Sequence, residues 1–450
     1  MWRTPVGRGF ILLAVMSAAV GFAQNAHQNI VTNYFEDVLH FSGPQFGYIN
    51  AVREVGGLLL ILLTAVLYRV SLQRITAGAL VVLAAGYALF GLSSSFWTVF
   101  PWVVVTSFGF HTVFQTQYSL GISLTTEGKS GSVLGRMASF SQGGTFAALL
   151  VVFFVFQFHL FSFRLTFVML GVVAFIGAIA IFRFPHLHEG QERRMAPKRE
   201  RLVWRREYRY YYALNLLDGA RQQVFFSFGL WVLVNRFGLT VAQISLVLLA
   251  VTFASMMSSA FVGRMIDRHG ERRMLSIINV AYMVALAGYA LAGNVVLACV
   301  FYLVYAFIMP FSPIAASTYL RKIALAEEFT PSLAVGVTVL HSTAIVVPVA
   351  AGFILNFVGY QIPFFIACGI ALAAALVTLR LNPMKQRCPA RVAADEACLA
   401  AAGRADLMTL GDQAAEATAV LMAMDGGGEG SAGQAAIHSL ADGLQGTVHE

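Results

Sequence analysis

Ionisable and amide side chains sit inside otherwise apolar stretches of this chain, and their spacing limits the chemistry it can perform. Asp218 and Arg221 are three residues apart, so on a helix they project from one face. Either they neutralise one another as a structural pair, or Arg221 receives an anionic group while Asp218 carries a proton. Gln222 and Gln223 add hydrogen-bonding groups beside them. Arg53 and Glu54 are adjacent and point roughly 100° apart, which favours separate partners. A carboxyl in low-dielectric surroundings suits reversible protonation, so Glu54 is a candidate proton carrier, with a structural ion pair as the alternative. His111 with Gln115, and His341 alone, could titrate near neutral pH, hydrogen-bond a ligand, or simply bond a neighbouring helix. Gln24 and Gln28 share a helical face within the polar run Gln24, Asn25, His27, Gln28. No two of these histidines have metal-ligand spacing, so neither a metal site nor a cofactor is expected.

The elements that hold these groups follow from composition. Of 450 residues, 58% are hydrophobic and only 12% charged, with a mean hydropathy of +0.72, which places the chain in the membrane class. The net charge of +8 sits mostly in short loops, so nucleic acid is not an expected partner. Cys299 and Cys368 lie in apolar segments and Cys388 and Cys398 in the C-terminal tail, without metal-ligand spacing or a disulfide framework. A basic start followed by Phe10 to Phe22 could be a signal peptide, but cleavage would break the repeat described below, so a retained first helix is expected.

Apolar runs of membrane-crossing length, roughly 20 residues each, fall at 9–32, 44–68, 75–95, 98–123, 132–157, 163–184, 208–234, 241–263, 274–294, 296–320, 333–357 and 361–381. They are too long for barrel strands, so each must be a helix that satisfies its own backbone. Arg69, Arg74, Lys129, the run Arg193 to Arg209, Arg264 to Arg273 and Arg321-Lys322 follow even-numbered spans, which puts both termini in the cytoplasm. All five tryptophans fall near span ends, as in an interfacial belt. Phe46 to Ile75 can be laid on Ile244 to Arg273 at a constant offset of 198, so each half holds six spans. The expected fold is an all-α membrane protein with twelve transmembrane helices in two pseudo-symmetric six-helix bundles. Its parts are 1–184, a cytoplasmic linker 185–207, 208–381, and a mostly disordered cytoplasmic tail 382–450.

Between the eighth and ninth spans the chain reads Gly263-Arg-Met-Ile-Asp267-Arg268-His-Gly270-Glu-Arg272-Arg273. This loop resembles the G-x-x-x-D-R-x-G-R-R signature of the major facilitator superfamily of secondary transporters. The resemblance implies that Asp267 and the arginines Arg268, Arg272 and Arg273 latch the cytoplasmic face, with Gly263 allowing close packing; otherwise the arginines merely enforce topology. Arg136, at the start of the fifth span, is placed in the same gate. The first-half counterpart, Ala65 to Arg74, is eroded, with Arg69 where the aspartate would fall. Gly135 to Gly144 lacks the proline of the drug-antiporter pattern in the fifth span. The stretches Thr318 to Ala324, Thr330 to Thr338, His341 and Pro348, with Gly109-Phe110-His111 and Gly219 to Gln223, are similar to a group of bacterial permeases of this superfamily without an assigned function.

The resemblance implies that spans 1, 4, 7 and 10, helped by 2, 5, 8 and 11, line a central cavity, and the polar residues above sit on those spans. A bend at Pro310 and Pro313 in span ten would serve gating or simply be built into the bundle. The expected activity is transport of a small solute across a bacterial inner membrane by alternating access, coupled to protons, by a monomer. A proton-driven efflux pump is the alternative within transport, and a non-transporting sensor or scaffold the alternative outside it. An enzyme is not expected: there is no G-x-x-x-x-G-K-[ST] loop, and no paired acids or metal cluster face a defined interface.

Overall fold

Five helix starts are written in side chains that satisfy the first free amides. Thr4, followed by Pro5, caps α1 (Pro5–Asn33) through Gly7 N–H. Ser95 and Thr98 form a reciprocal capping box at α4 (Phe96–Ser123), and Thr240 and Gln243 do the same at α8 (Val241–His269). Ser162 caps α6 (Phe163–Phe182) and Asn294 caps α10 (Val295–Ile308). The remaining helices are α2 (Gly43–Val66), α3 (Leu72–Phe90), α5 (Ser130–Gln157), α7 (Arg209–Asn235), α9 (Glu271–Ala290), α11 (Phe311–Ile323), α12 (Ala326–Val358) and α13 (Gln361–Leu379). The computed structural model describes residues 4–66, 70–124, 130–185, 204–389 and 391–393; the side chains of 58–66, 130–132, 256–264, 267, 326 and 330 lie outside that description. Arg69, Lys129, Cys398, most of the linker and most of the tail therefore fall outside it too.

Each expected span coincides with a helix among the described residues, span ten with two. Among the described residues nine helical stretches are long and apolar enough to cross a membrane. The other three spans are α2, α7 and α8, of which α7 carries Asp218 and Arg221. The helices all lie within one compact unit, residues 1–386, while 387–450 form a second. In the first half α1 packs on α5 and α6, α3 on α4 and α6, and α2 on α4. In the second, α7 packs on α12 and α13, and α9 on α10, α11 and α13. Two six-span bundles result, joined face to face by α2 with α12 and by α5 with α8. The repeat offset carries the first residue of α2, Gly43, onto the first residue of α8, Val241.

Three expectations change. The eleven-residue loop from Gly263 to Arg273 is almost entirely helical: α8 runs to His269 and α9 begins at Glu271, leaving Gly270 alone as the connection. Its φ of 78° and ψ of 155° belong to a region that side-chain-bearing residues avoid. Gly270→Ala is expected to cost roughly 1–3 kcal/mol, seen as a lower midpoint when the purified protein is unfolded by heat. Trp231 is no interfacial residue; it is buried against Phe46 and Phe228, while Trp97 and Trp204 remain exposed. Span ten is two helices rather than one bent helix. Pro313 cannot donate to the carbonyl of Met309, and Tyr282 Oη donates to the freed carbonyls of Ile308 and Met309 at 3.0 and 3.2 Å.

Candidate functional site

The polar residues of the first half converge on one place. Glu54 stands about midway along α2, with Arg53 before it. Arg53 Nη1 donates to Gln28 Oε1 on α1 at 3.2 Å, and its Nε lies 3.7 Å from Glu54 Oε1. The adjacent pair thus touches, against the expectation of wholly separate partners, because the long arginine side chain folds back. Glu54 Oε2 reaches across to His341 Nδ1 on α12 at 3.3 Å, which makes this carboxylate a bridge between the two bundles. His111 on α4 closes the group, its ring 6.5 Å from that of His341, and its Nδ1 bonds the carbonyl of Ser107 at 2.9 Å. Ser107 Oγ donates to the backbone carbonyl of Arg53. The approach of α4 to α2 depends on Gly56-Gly57: a Cβ on Gly57 would come within 3.1 Å of the His111 ring.

Two adjoining cavities, of about 110 and about 50 Å³, border this group and share His27, Gln28, Arg53 and Thr106. The larger is lined by Gln24, Glu54, Tyr87, Ser107 and His111 as well. Gln24 Oε1 accepts from Tyr87 Oη at 2.5 Å, which fixes the amide at the cavity wall. The smaller cavity is mostly apolar, bounded by Phe35, Phe46 and Phe90 from the first half and by Phe226, Ser227 and Leu230 of α7 from the second. Arg53 borders both cavities.

The other sequence candidates are placed elsewhere. Asp218 and Arg221 are buried in the second bundle and border neither cavity. Arg221 Nη2 donates to Asp218 Oδ1 at 2.8 Å, its guanidinium lies 3.3 Å from the Tyr282 ring centroid, and Ser312 Oγ donates to Asp218 Oδ2. The pair is thereby packed against Tyr282 and Ser312, residues that flank the α10–α11 break. Gln222 is half-buried, and Gln115 is exposed one turn beyond His111. At the charged end of the bundle Arg136, Arg268, Arg272 and Arg273 are exposed, and the Arg136 guanidinium lies 5.7 Å from the Phe10 ring. The side chain of Asp267 lies outside the described residues, as does the position of Gly263 beyond its helical backbone.

Glu271 was overlooked by the sequence reading, although it stands inside the signature stretch. It is buried and pairs with Lys322 at 2.6 Å, tying the start of α9 to the end of α11. Only tertiary contact reveals that partner. Ser107 and Tyr87 were also missed; Ser107 is four residues before His111, a helical spacing that could have flagged it.

Helical spans of membrane-crossing length, with ionisable groups gathered around an internal cavity, are the architecture of a multi-pass membrane protein. The family model of the Major Facilitator Superfamily matches residues 211–419. The nucleoside transporter NupG superimposes with a TM-score of 0.70 at 14% identity, covering 83% of this chain and 100% of that one. A bacterial homolog to the human lysosomal transporter Spinster, in an inward-facing and occupied conformation, gives 0.66 at 13% identity over 84% of this chain and 97% of its own. A D-xylose-proton symporter gives 0.64 at 13% identity, covering 85% and 100%. At such identities these likenesses establish the fold alone. Multidrug resistance protein 2 of Bacillus subtilis (strain 168) is 28% identical over 137 residues, which is 29% of this chain and 32% of that protein, so the match spans about a third of that relative's length. The family likeness thus rests on residues 211–419, somewhat under half of the chain.

Proposed function

We propose that this protein is a secondary transporter that moves a small solute across a bacterial inner membrane by alternating access, coupled to protons. The halves 1–184 and 208–381 rock about the cavity, with both termini in the cytoplasm, where basic loops are retained. The observation that carries the coupling is the position of Glu54, bonded at once to His341 of the other bundle and lying beside Arg53 at the cavity wall. Ionised, this carboxylate ties the bundles together; protonated, it loses its charge, and the tie weakens while Arg53 is released. Proton binding and bundle separation thereby become one equilibrium, as linkage requires of two ligands that bias the same two states. At the charged end, the Gly263–Arg273 stretch and Arg136 serve as the cytoplasmic gate, and Asp267 is its acid.

The test is proton movement in sealed liposomes that hold the purified protein and a pH-sensitive dye. An active solute should acidify or alkalinise the lumen only when the protein is present. Glu54→Gln should still let that solute equilibrate down its own gradient but without proton movement. Solute-driven proton flux that survives in Glu54→Gln would remove the coupling from this residue. The partial likeness to Multidrug resistance protein 2 favours a second reading, proton-driven export of lipophilic compounds. The same liposomes decide it: under an imposed proton gradient, an exporter drives the solute against the direction of proton flow.

A further inference from the structure

We propose that the cavity takes a small organic anion, a carboxylate with an apolar body, whose head replaces Glu54 on the guanidinium of Arg53. This assignment of a substrate class rests on the transport reading given above. Arg53 is the focus because its donors are only partly used. Nη1 serves Gln28, Nε stands 3.7 Å from Glu54, and Nη2 has no partner among the described residues. Its side chain keeps 29% of its surface exposed and borders both cavities. A planar carboxylate matches the free edge of a guanidinium with two parallel hydrogen bonds.

The walls specify the rest of the ligand. Beyond Arg53 the smaller cavity offers Phe35, Phe46, Phe90 and Phe226, with Asn50 and Ser227 as neutral polar points, and no acid lines it among the described residues. Glu54 is the one acid lining the larger cavity among the described residues, and it is already shared between Arg53 and His341. A cation would thus face a guanidinium without a free counter-charge. His27 adds a second pointer. It is 7% exposed, borders both cavities, and its Nε2 has no hydrogen-bond partner among the described residues. A buried polar group left open in this way is one that a ligand can satisfy. Because Phe226 and Ser227 belong to the opposite bundle, an anion held on Arg53 would also touch both halves.

The proton follows from the same contacts. Glu54 is faced by Arg53 from α2, by His111 from α4 and by His341 from α12, with His27 and Gln28 of α1 lining the space beside it. When Glu54 takes a proton from water, Arg53 loses its nearest anion. The incoming carboxylate supplies the replacement, so one proton and one anion load together with no net change in charge.

Equilibrium binding to the purified full chain in detergent tests this, with calorimetry at about pH 6 and about pH 8. The probes are benzoate and cyclohexanecarboxylate, set against the neutral benzamide and the cationic benzylamine. Both carboxylates should bind, at least about tenfold tighter at the lower pH, since a linked proton can contribute a factor of ten per pH unit. Arg53→Gln should weaken them at least about tenfold, and Arg53→Lys, which keeps the charge but not the fork, should also weaken them. Glu54→Gln should bind them with little dependence on pH. Benzamide or benzylamine binding as tightly as benzoate would overturn the assignment, as would carboxylate affinity unchanged in both Arg53 variants, or no carboxylate binding at all. Failure of the transport reading looks different: the carboxylates bind, yet no solute moves protons in liposomes.

Discussion

Asp218→Ala and Arg221→Ala are each expected to destabilise the protein by roughly 3–5 kcal/mol, the range for stripping one partner from a buried ion pair. The side chains of Arg221 and Asp218 are 2% and 9% exposed, so whichever charge survives has almost no water to turn to. Its remaining neighbours do not suffice. Arg221 would keep the face of Tyr282 and a 3.4 Å bond to Tyr305 Oη, and Asp218 would keep the Ser312 hydroxyl. Each is worth far less than the lost charge-assisted bond. The strain would spread to the α10–α11 break, because Tyr282 also holds the free carbonyls of Ile308 and Met309. Replacing both charges at once, with Asp218→Leu and Arg221→Met, should recover much of the loss, since an apolar pair of similar volume is often neutral where a broken pair is not. Loss of helical circular dichroism on heating in detergent reads out all three proteins. If both single variants unfold within about 1 kcal/mol of the parent, the pair is not structural, and a place for it in the solute pathway reopens.

Those two residues also show how far the sequence could be read. Their spacing correctly put them on one helical face, and the helix itself was legible from length and hydropathy. The direction of that face was not. Nothing in α7 alone says whether Arg221 turns toward the cavity or toward Tyr282 of α9 and Ser312 of α11, which lie 61 and 91 residues away along the chain. Arg53, Glu54, His111 and His341 illustrate the opposite case. Each was a candidate from the cost of an ionisable group in apolar surroundings, a local property. That they form one cluster depends on the contact of α2 with α12, which no periodicity within either helix encodes. The Gly263–Arg273 stretch sits between these extremes. Its polarity made it read as a loop, yet between Gly263 and Gly270 it carries neither glycine nor proline, so α8 simply continues through it.

Joining the bundles permanently at the end that carries the α1–α2 and α7–α8 connections is expected to stop solute exchange. With Cys299, Cys368, Cys388 and Cys398 first replaced by serine or alanine, Asn29→Cys and Ser245→Cys would be bridged by a short bis-maleimide. The native contact there is direct, Asn29 Nδ2 donating to Ser245 Oγ at 2.6 Å, with both side chains buried. It does not stand alone. Asn33 Nδ2 donates to the carbonyl of Leu239 at 3.0 Å, Asn235 Nδ2 to Glu36 Oε1 at 2.5 Å, and the Phe46 ring lies 6.0 Å from Phe228 and 6.1 Å from Trp231. Every one of these contacts crosses from the first bundle to the second, on the far side of the Glu54 cluster from Arg136 and the arginines at Gly270. Alternating access demands that this set break when the cavity opens toward that end, because a cavity open to one side at a time cannot empty to the other while the seal holds. The bridged protein should therefore lose exchange to background while still binding solute from the opposite side, and either single cysteine treated with the same reagent should keep exchanging. Full exchange in a completely bridged sample would mean that these contacts are static packing and that the bundles part elsewhere. Loss of exchange with retained binding would instead identify them as the seal whose opening Glu54, through His341, is placed to control.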